Sequence, residues 1–182
     1  MVKRFWFFLG LLLCLTVGSG CAGYTQKSLL SEEFKNVSIS PVVNAINLSG
    51  EVTDKSPFRI YRPGTESDLT NAIVNRFIFD GNLKVSVPEK ADLTVEAKLV
   101  DYRRDALRYS DSNDVQEYRL SVVLDVSVVE TRTHKILWHD GSLVGESSFF
   151  LAGAHAISED AASQKAVEDA ARRLVDKTIE IW

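Results

Sequence analysis

Leu120-Ser121-Val122-Val123-Leu124-Asp125-Val126-Ser127-Val128 places an apolar residue at every even position, the period of a strand with one covered face. Upstream, Leu93, Val95, Ala97 and Leu99 repeat the pattern in a strand that reaches about Tyr109. Between the two runs, Ser110-Asp111-Ser112-Asn113-Asp114 is turn chemistry. A turn centred on Asp111-Ser112 sets Leu99 opposite Leu124 and Val95 opposite Val128, so both apolar rows share one side of a sheet. The stretch reads as a long β-hairpin.

Working outward, Thr131-Arg132-Thr133-His134 turns the chain into a further antiparallel strand through Ile136 and Trp138. Before the hairpin, Leu83, Val85 and Val87 alternate with polar residues and end at Pro88. Pro63-Gly64-Thr65 opens a helix in which Thr65 is expected to cap and Asp68 to return the bond to the cap amide. Leu69, Ala72, Ile73 and Phe77 give it one apolar stripe, and Asp80-Gly81 ends it. Phe34 to Val43 is a short first strand that Pro41 interrupts, and residues 44–62 form a long loop. Gly141 to Ile157, rich in small residues, reads as a connection to a last helix capped by Ser158. That helix carries Ala162, Ala166, Val167, Ala170, Leu174, Thr178 and Ile181 as a continuous stripe. The expected class is α+β: a two-layer sandwich with two helices on one face of a roughly four-stranded mixed sheet. Its other face, with Thr94, Glu96, Lys98, Ser121, Asp125 and Ser127, should be wet or meet a polar partner.

The amino terminus points to export. Lys3 and Arg4 precede an apolar run from Phe5 to Val17, then Gly18, Ser19, Gly20 and Cys21. The cysteine after small residues resembles the bacterial lipobox, which implies cleavage of residues 1–20 and acylation of the Cys21 sulfur. Several acyl chains on one residue anchor stably, because one chain alone holds only marginally. The competing readings are an ordinary signal peptide cut nearby and an uncut anchor; the apolar run is shorter than the roughly 20 residues a span needs. Ala22, where an aspartate is absent, favours sorting to the outer membrane by analogy with enteric lipoproteins. Residues 21–33 read as a lipidated tether and 34–182 as one domain.

Cleavage removes Cys14 with the leader and leaves 19 basic against 25 acidic residues, a formal charge of −6. No disulfide can form within the mature chain, so its core must hold it. General attraction to nucleic acid or anionic membrane is disfavoured, and a polyanion would need a local basic cluster. His134, His139 and His155 show no metal-ligand spacing, and neither a nucleophile elbow nor a phosphate-cradling glycine loop occurs. No enzyme activity, metal or cofactor is expected. One cluster stands out: Arg103, Arg104 and Arg108, interleaved with Tyr102, Leu107 and Tyr109, with Arg119 on the returning strand. Guanidinium forks suit phosphate, and the aromatic and aliphatic neighbours suit lipid. The plainer alternative is that Asp101, Asp105, Asp111 and Asp114 pair with them on a solvated hairpin.

With Cys21-Ala22-Gly23-Tyr24 at the mature start, the run Pro63 to Ala72 opening the first helix, Ala91-Asp92-Leu93, Leu137-Trp138 and the alanine-rich last helix, the chain resembles the LptE family. The resemblance implies two helices on a four-stranded sheet and a lipid-anchored outer-membrane protein facing the periplasm. It also implies a plug that helps assemble an LptD-type β-barrel and contacts lipopolysaccharide on its way to the outer leaflet. No nucleotide is consumed. Arg103, Arg104, Arg108 and Arg119 are candidate lipopolysaccharide contacts on local charge alone. The rival class is a lipoprotein accessory subunit of a lipid-trafficking ABC transporter.

Overall fold

The computed structural model describes residues 33–46 and 62–180, so Cys21, the tether, most of the 44–62 loop and Ile181 lie outside the described residues. The elements in chain order are β1 (Asn36–Ile39), β2 (Val43–Asn44), α1 (Thr65–Asp80), β3 (Lys84–Val85), β4 (Leu93–Tyr109), β5 (Val115–Glu130), β6 (Ile136–Phe150) and α2 (Glu159–Glu180). One mixed sheet runs in the order β3-β1-β4-β5-β6, with β2 alongside β4. β1 is parallel to β3 and β4, and the three long strands β4, β5 and β6 are antiparallel. Four strands have four or more residues; β2 and β3 are two-residue pieces.

The hairpin register is the one read from the alternation: Leu99 faces Leu124 and Val95 faces Val128. Beyond Leu99 it slips. Asp101 pairs with Val123, so Val100 is an inserted residue, and a one-residue insertion exchanges the two faces of the strand beyond it. The inward row is therefore Leu93, Val95, Ala97, Leu99 and then Tyr102, all buried. The core lies between this face and the helices, with Leu69, Ile73 and Phe77 from α1 and Ala166, Ala170 and Leu174 from α2.

α2 packs on β5, β6 and α1. It comes so close to β6 that a Cβ on Gly145 would lie 2.4 Å from the Ala166 carbonyl oxygen and 2.4 Å from the Ala170 nitrogen. The small residues on both sides serve this approach. They also mislead: Gly141 to Phe150, expected as loop, continues β6 to Phe150. Its register shifts around Gly141, between Val126–Asp140 and Leu124–Leu143 pairs. The capping box at α1 does not form. Gly64, at φ 95°, is the cap residue and Thr65 the first helical residue, its hydroxyl donating to the Arg62 carbonyl at 2.8 Å. The helix ends as expected, with Gly81 at φ 78° donating its N–H to the Phe77 carbonyl. Ser158 caps α2 through its hydroxyl oxygen, which accepts the Ala161 N–H at 3.2 Å. β3 is shorter than the 83–87 alternation suggested, because Pro88 opens a short 3₁₀ turn through Lys90.

Candidate functional site

The four arginines all lie on the hairpin, but strand alternation puts them on different faces, and the insertion at Val100 sets which β4 arginine takes which face. Arg104 points to the helix side, where its guanidinium meets Glu159 of α2 at 2.6 Å and stacks over the Tyr118 ring at 4.7 Å. Beside it the Tyr102 hydroxyl donates to Ser163 at 3.1 Å, and burial pushes that phenol above its ordinary pKa. Arg104 thus ties β4 to the start of α2. Arg62 does the same from the α1 side, reaching Asp160 at 3.2 Å.

Arg103 and Arg119 belong to the open face of the sheet, and Arg108 lies near the tip. Arg103 sits 3.6 Å from both Asp101 and Asp105. Arg108 sits 3.5 Å from Glu117 and over the Phe150 ring at 5.5 Å. Arg119 approaches Glu146 at 3.8 Å, and Ser121 donates to the same carboxylate. Three guanidinium groups therefore face four carboxylates, so this end has no net positive field. A phosphate would have to displace a carboxylate to gain a fork. Of the acids expected to pair, Asp101 and Asp105 do; Glu117 and Glu146, distant in sequence, are the partners that cross-strand register brings in. Exposed Leu107, Tyr109 and Leu151 surround the tip.

Two further groupings were not legible beforehand. His139 on β6 meets β5 with Nδ1 3.1 Å from the Ser127 hydroxyl and 3.4 Å from Asp125. Both contacts use the same ring nitrogen, whereas a nucleophilic relay needs the acid on one nitrogen and the hydroxyl on the other. The grouping is a polar cross-strand network. His134 sits in the β5–β6 turn and His155 in an exposed loop, and among the described residues no three ligating side chains converge on a metal position. The second grouping is a groove of about 920 Å³ between α1 and α2, with Ala72, Val167 and Ala171 among its lining residues and Phe79 exposed at its rim. Asp169 beside it accepts the Glu146 N–H at 3.1 Å and binds Arg172 and Arg173. Burial pushes its carboxyl up, but those donors outweigh it and hold the pKa below the usual range.

A family model described as LptE, lipopolysaccharide-assembly, matches residues 34–178, from the start of β1 almost to the end of α2. The chain belongs to the LptE family. The family is a non-enzymatic one of lipopolysaccharide assembly, and the chain shares that class. No curated protein matches it. Among solved structures it is similar to an uncharacterized lipoprotein B from Nitrosomonas europaea, at 18% identity over 88% of this chain and 90% of that one, TM-score 0.49. A minor lipoprotein from Acinetobacter baumannii shows 14% identity over 80% and 93%, TM-score 0.49. A hypothetical protein from Chlamydia trachomatis shows 14% over 81% and 96%, TM-score 0.49.

Proposed function

We propose that this LptE-family chain is acylated at Cys21, sits on the outer membrane facing the periplasm, and plugs an LptD-type β-barrel that it helps to assemble. In that position it takes part in passing lipopolysaccharide to the outer leaflet. The observation that carries the reading is the family match across the whole sheet and both helices. The surface chemistry is in keeping with it. The open sheet face mixes Glu96, Lys98, Asp125 and His139 with the Arg103 and Arg119 pairs, and α2 exposes Arg172 and Arg173. Large barrels have polar interiors, and a plug with both charge signs on its surface suits such a lumen. Arg103, Arg108 and Arg119 are the proposed lipopolysaccharide contacts; Arg104, held by Glu159, positions the strand that carries them.

Copurification of the native protein from mildly solubilised envelopes tests the reading, with the partner identified by mass. Recovery with an outer-membrane barrel is expected. Recovery with an inner-membrane ATPase complex would transfer the chain to the transporter-subunit class, and recovery of unmodified Cys21 thiol would remove the anchor.

A further inference from the structure

α1 and α2 run side by side in the same direction. Arg62, just before α1, reaches Asp160 at the start of α2 at 3.2 Å, and Arg76 near the end of α1 reaches Asp176 near the end of α2 at 2.9 Å. The groove of about 920 Å³ between them therefore follows both helix axes. Along α1 its lining extends from Asp68 to Phe79, about 17 Å at the helical rise and the length of about five residues of extended chain.

The floor of the groove is small and apolar, with Val167 and Ala171 buried and Ala72 half-buried. Its walls carry carboxamides. Asn71 and Asn75 on α1 and Gln164 on α2 are exposed, and among the described residues none of these three side chains makes a hydrogen bond. Each offers an acceptor oxygen and a donor nitrogen, the complement of the N–H and C=O that one residue of an extended chain presents on one edge. Asn71 and Asn75 stand one turn apart, about 6 Å along the axis. In an extended chain the residues that present their N–H and C=O to the same edge recur at about 6.6 Å. The near-match lets the two asparagines serve residues i and i+2 of one strand, while Gln164 on the other wall serves residue i+1 from the opposite edge.

The remaining chemistry narrows the occupant. Asp68 and Glu168 stand with Lys165 and Arg172 on the rim, so the signs balance and a polyanion gains nothing there. An acyl chain would cover the carboxamides without giving them partners, which costs free energy for each group so covered. A docked helix has its own backbone groups paired and would leave the carboxamides unused. Extended polypeptide satisfies both walls, and Phe79, 81% exposed at the rim, offers an apolar contact to one of its side chains.

We propose that this groove holds an extended segment of the barrel partner, recognised through its main chain by Asn71, Asn75 and Gln164. Barrel chains carry segments free to do this in the long loops that join their strands. The inference rests on the barrel reading of the proposed function and adds to it a site and a mode of contact.

The test uses full-length, acylated protein in intact envelopes, with Lys165 on the groove rim replaced by photoreactive p-benzoylphenylalanine. After irradiation the adduct is digested and its partner peptide identified by mass. An adduct to one contiguous stretch of the barrel chain is expected. Asn71→Leu together with Asn75→Leu keeps the size of both side chains and removes their hydrogen-bonding atoms, and should lower the adduct yield about tenfold with Tm within about 2 °C of the parent. Gln164→Met should lower the yield about threefold, and carries the test by itself if the double variant does not fold. Undiminished yield in the folded variants overturns the inference, as do adducts confined to lipopolysaccharide, to a second copy of the chain or to its own residues 21–32. A barrel that copurifies with the parent chain yet forms no adduct from position 165 overturns the inference and leaves the proposed function standing. Absence of any barrel from both the adducts and the copurified material overturns the two together.

Discussion

Gly145→Ala should cost this protein far more stability than Gly141→Ala, the same change elsewhere on β6. The new Cβ would stand 2.4 Å from the Ala166 carbonyl oxygen, 2.4 Å from the Ala170 nitrogen and 2.5 Å from the Ala170 Cβ, where ordinary contact begins at 3.4 Å. Two of those three atoms are helix backbone, so no rotamer change relieves the clash. α2 must retreat by about 1 Å, a gap that forfeits a quarter to a half of the dispersion energy of each contact it opens. The helix buries Ala162, Ala166, Val167, Ala170, Leu174 and Val175 along that line, so the loss spreads over several turns. Overpacking typically costs about 1 to 3 kcal/mol, and we place this case at about 3 kcal/mol. For a domain of this size that lowers Tm by roughly 6 to 12 °C. Gly141 supplies the control on the same strand, because its added Cβ would meet only the His139 ring at 3.7 Å. Thermal unfolding followed by circular dichroism should show Gly141→Ala within about 0.5 kcal/mol of the parent. Equal stability of the two variants would refute the close-approach argument.

Arg104→Ala should destabilise the domain by about 1 to 2 kcal/mol, since its pair with Glu159 and its stack on Tyr118 join sheet to helix in a largely covered position. Arg103→Ala, half exposed between two aspartates, should change stability by less than about 0.5 kcal/mol, and denaturant titration of the pair checks the contrast. Asp92 is held below the ordinary carboxylate range, first by the Lys35 N–H and then, against the opposing effect of burial, by the Asn36 backbone and side-chain donors. With its pKa lower in the folded than in the unfolded chain, its contribution is present above about pH 4 and is lost as pH falls through the folded value. Asp92→Asn should therefore flatten the acid limb of a stability-against-pH curve, and an unchanged limb would assign that limb to other carboxylates such as Asp140. The latter is lowered first by the Lys177 ammonium at 2.7 Å.

The alternation Leu120 to Val128, the answering row Leu93 to Leu99 and the turn between them determined a hairpin and its register, because side chains in a strand alternate with period two and one face must be covered. The stripe of α2 and the terminating Gly81 were equally local and equally legible. Gly141 to Phe150 was not. Its small residues look like loop chemistry until α2 lies across Gly145, and only the approach of a distant helix explains a strand with no side chain there. The arginines show the same division. Their clustering was visible in the sequence, but the insertion at Val100 decided which of them faces α2 and which faces solvent, and cross-strand pairing chose Glu117 and Glu146 as partners. Local periodicity is a property of neighbouring residues, whereas a bulge, a helix's depth and a charge's partner are settled by contacts between segments far apart in the chain.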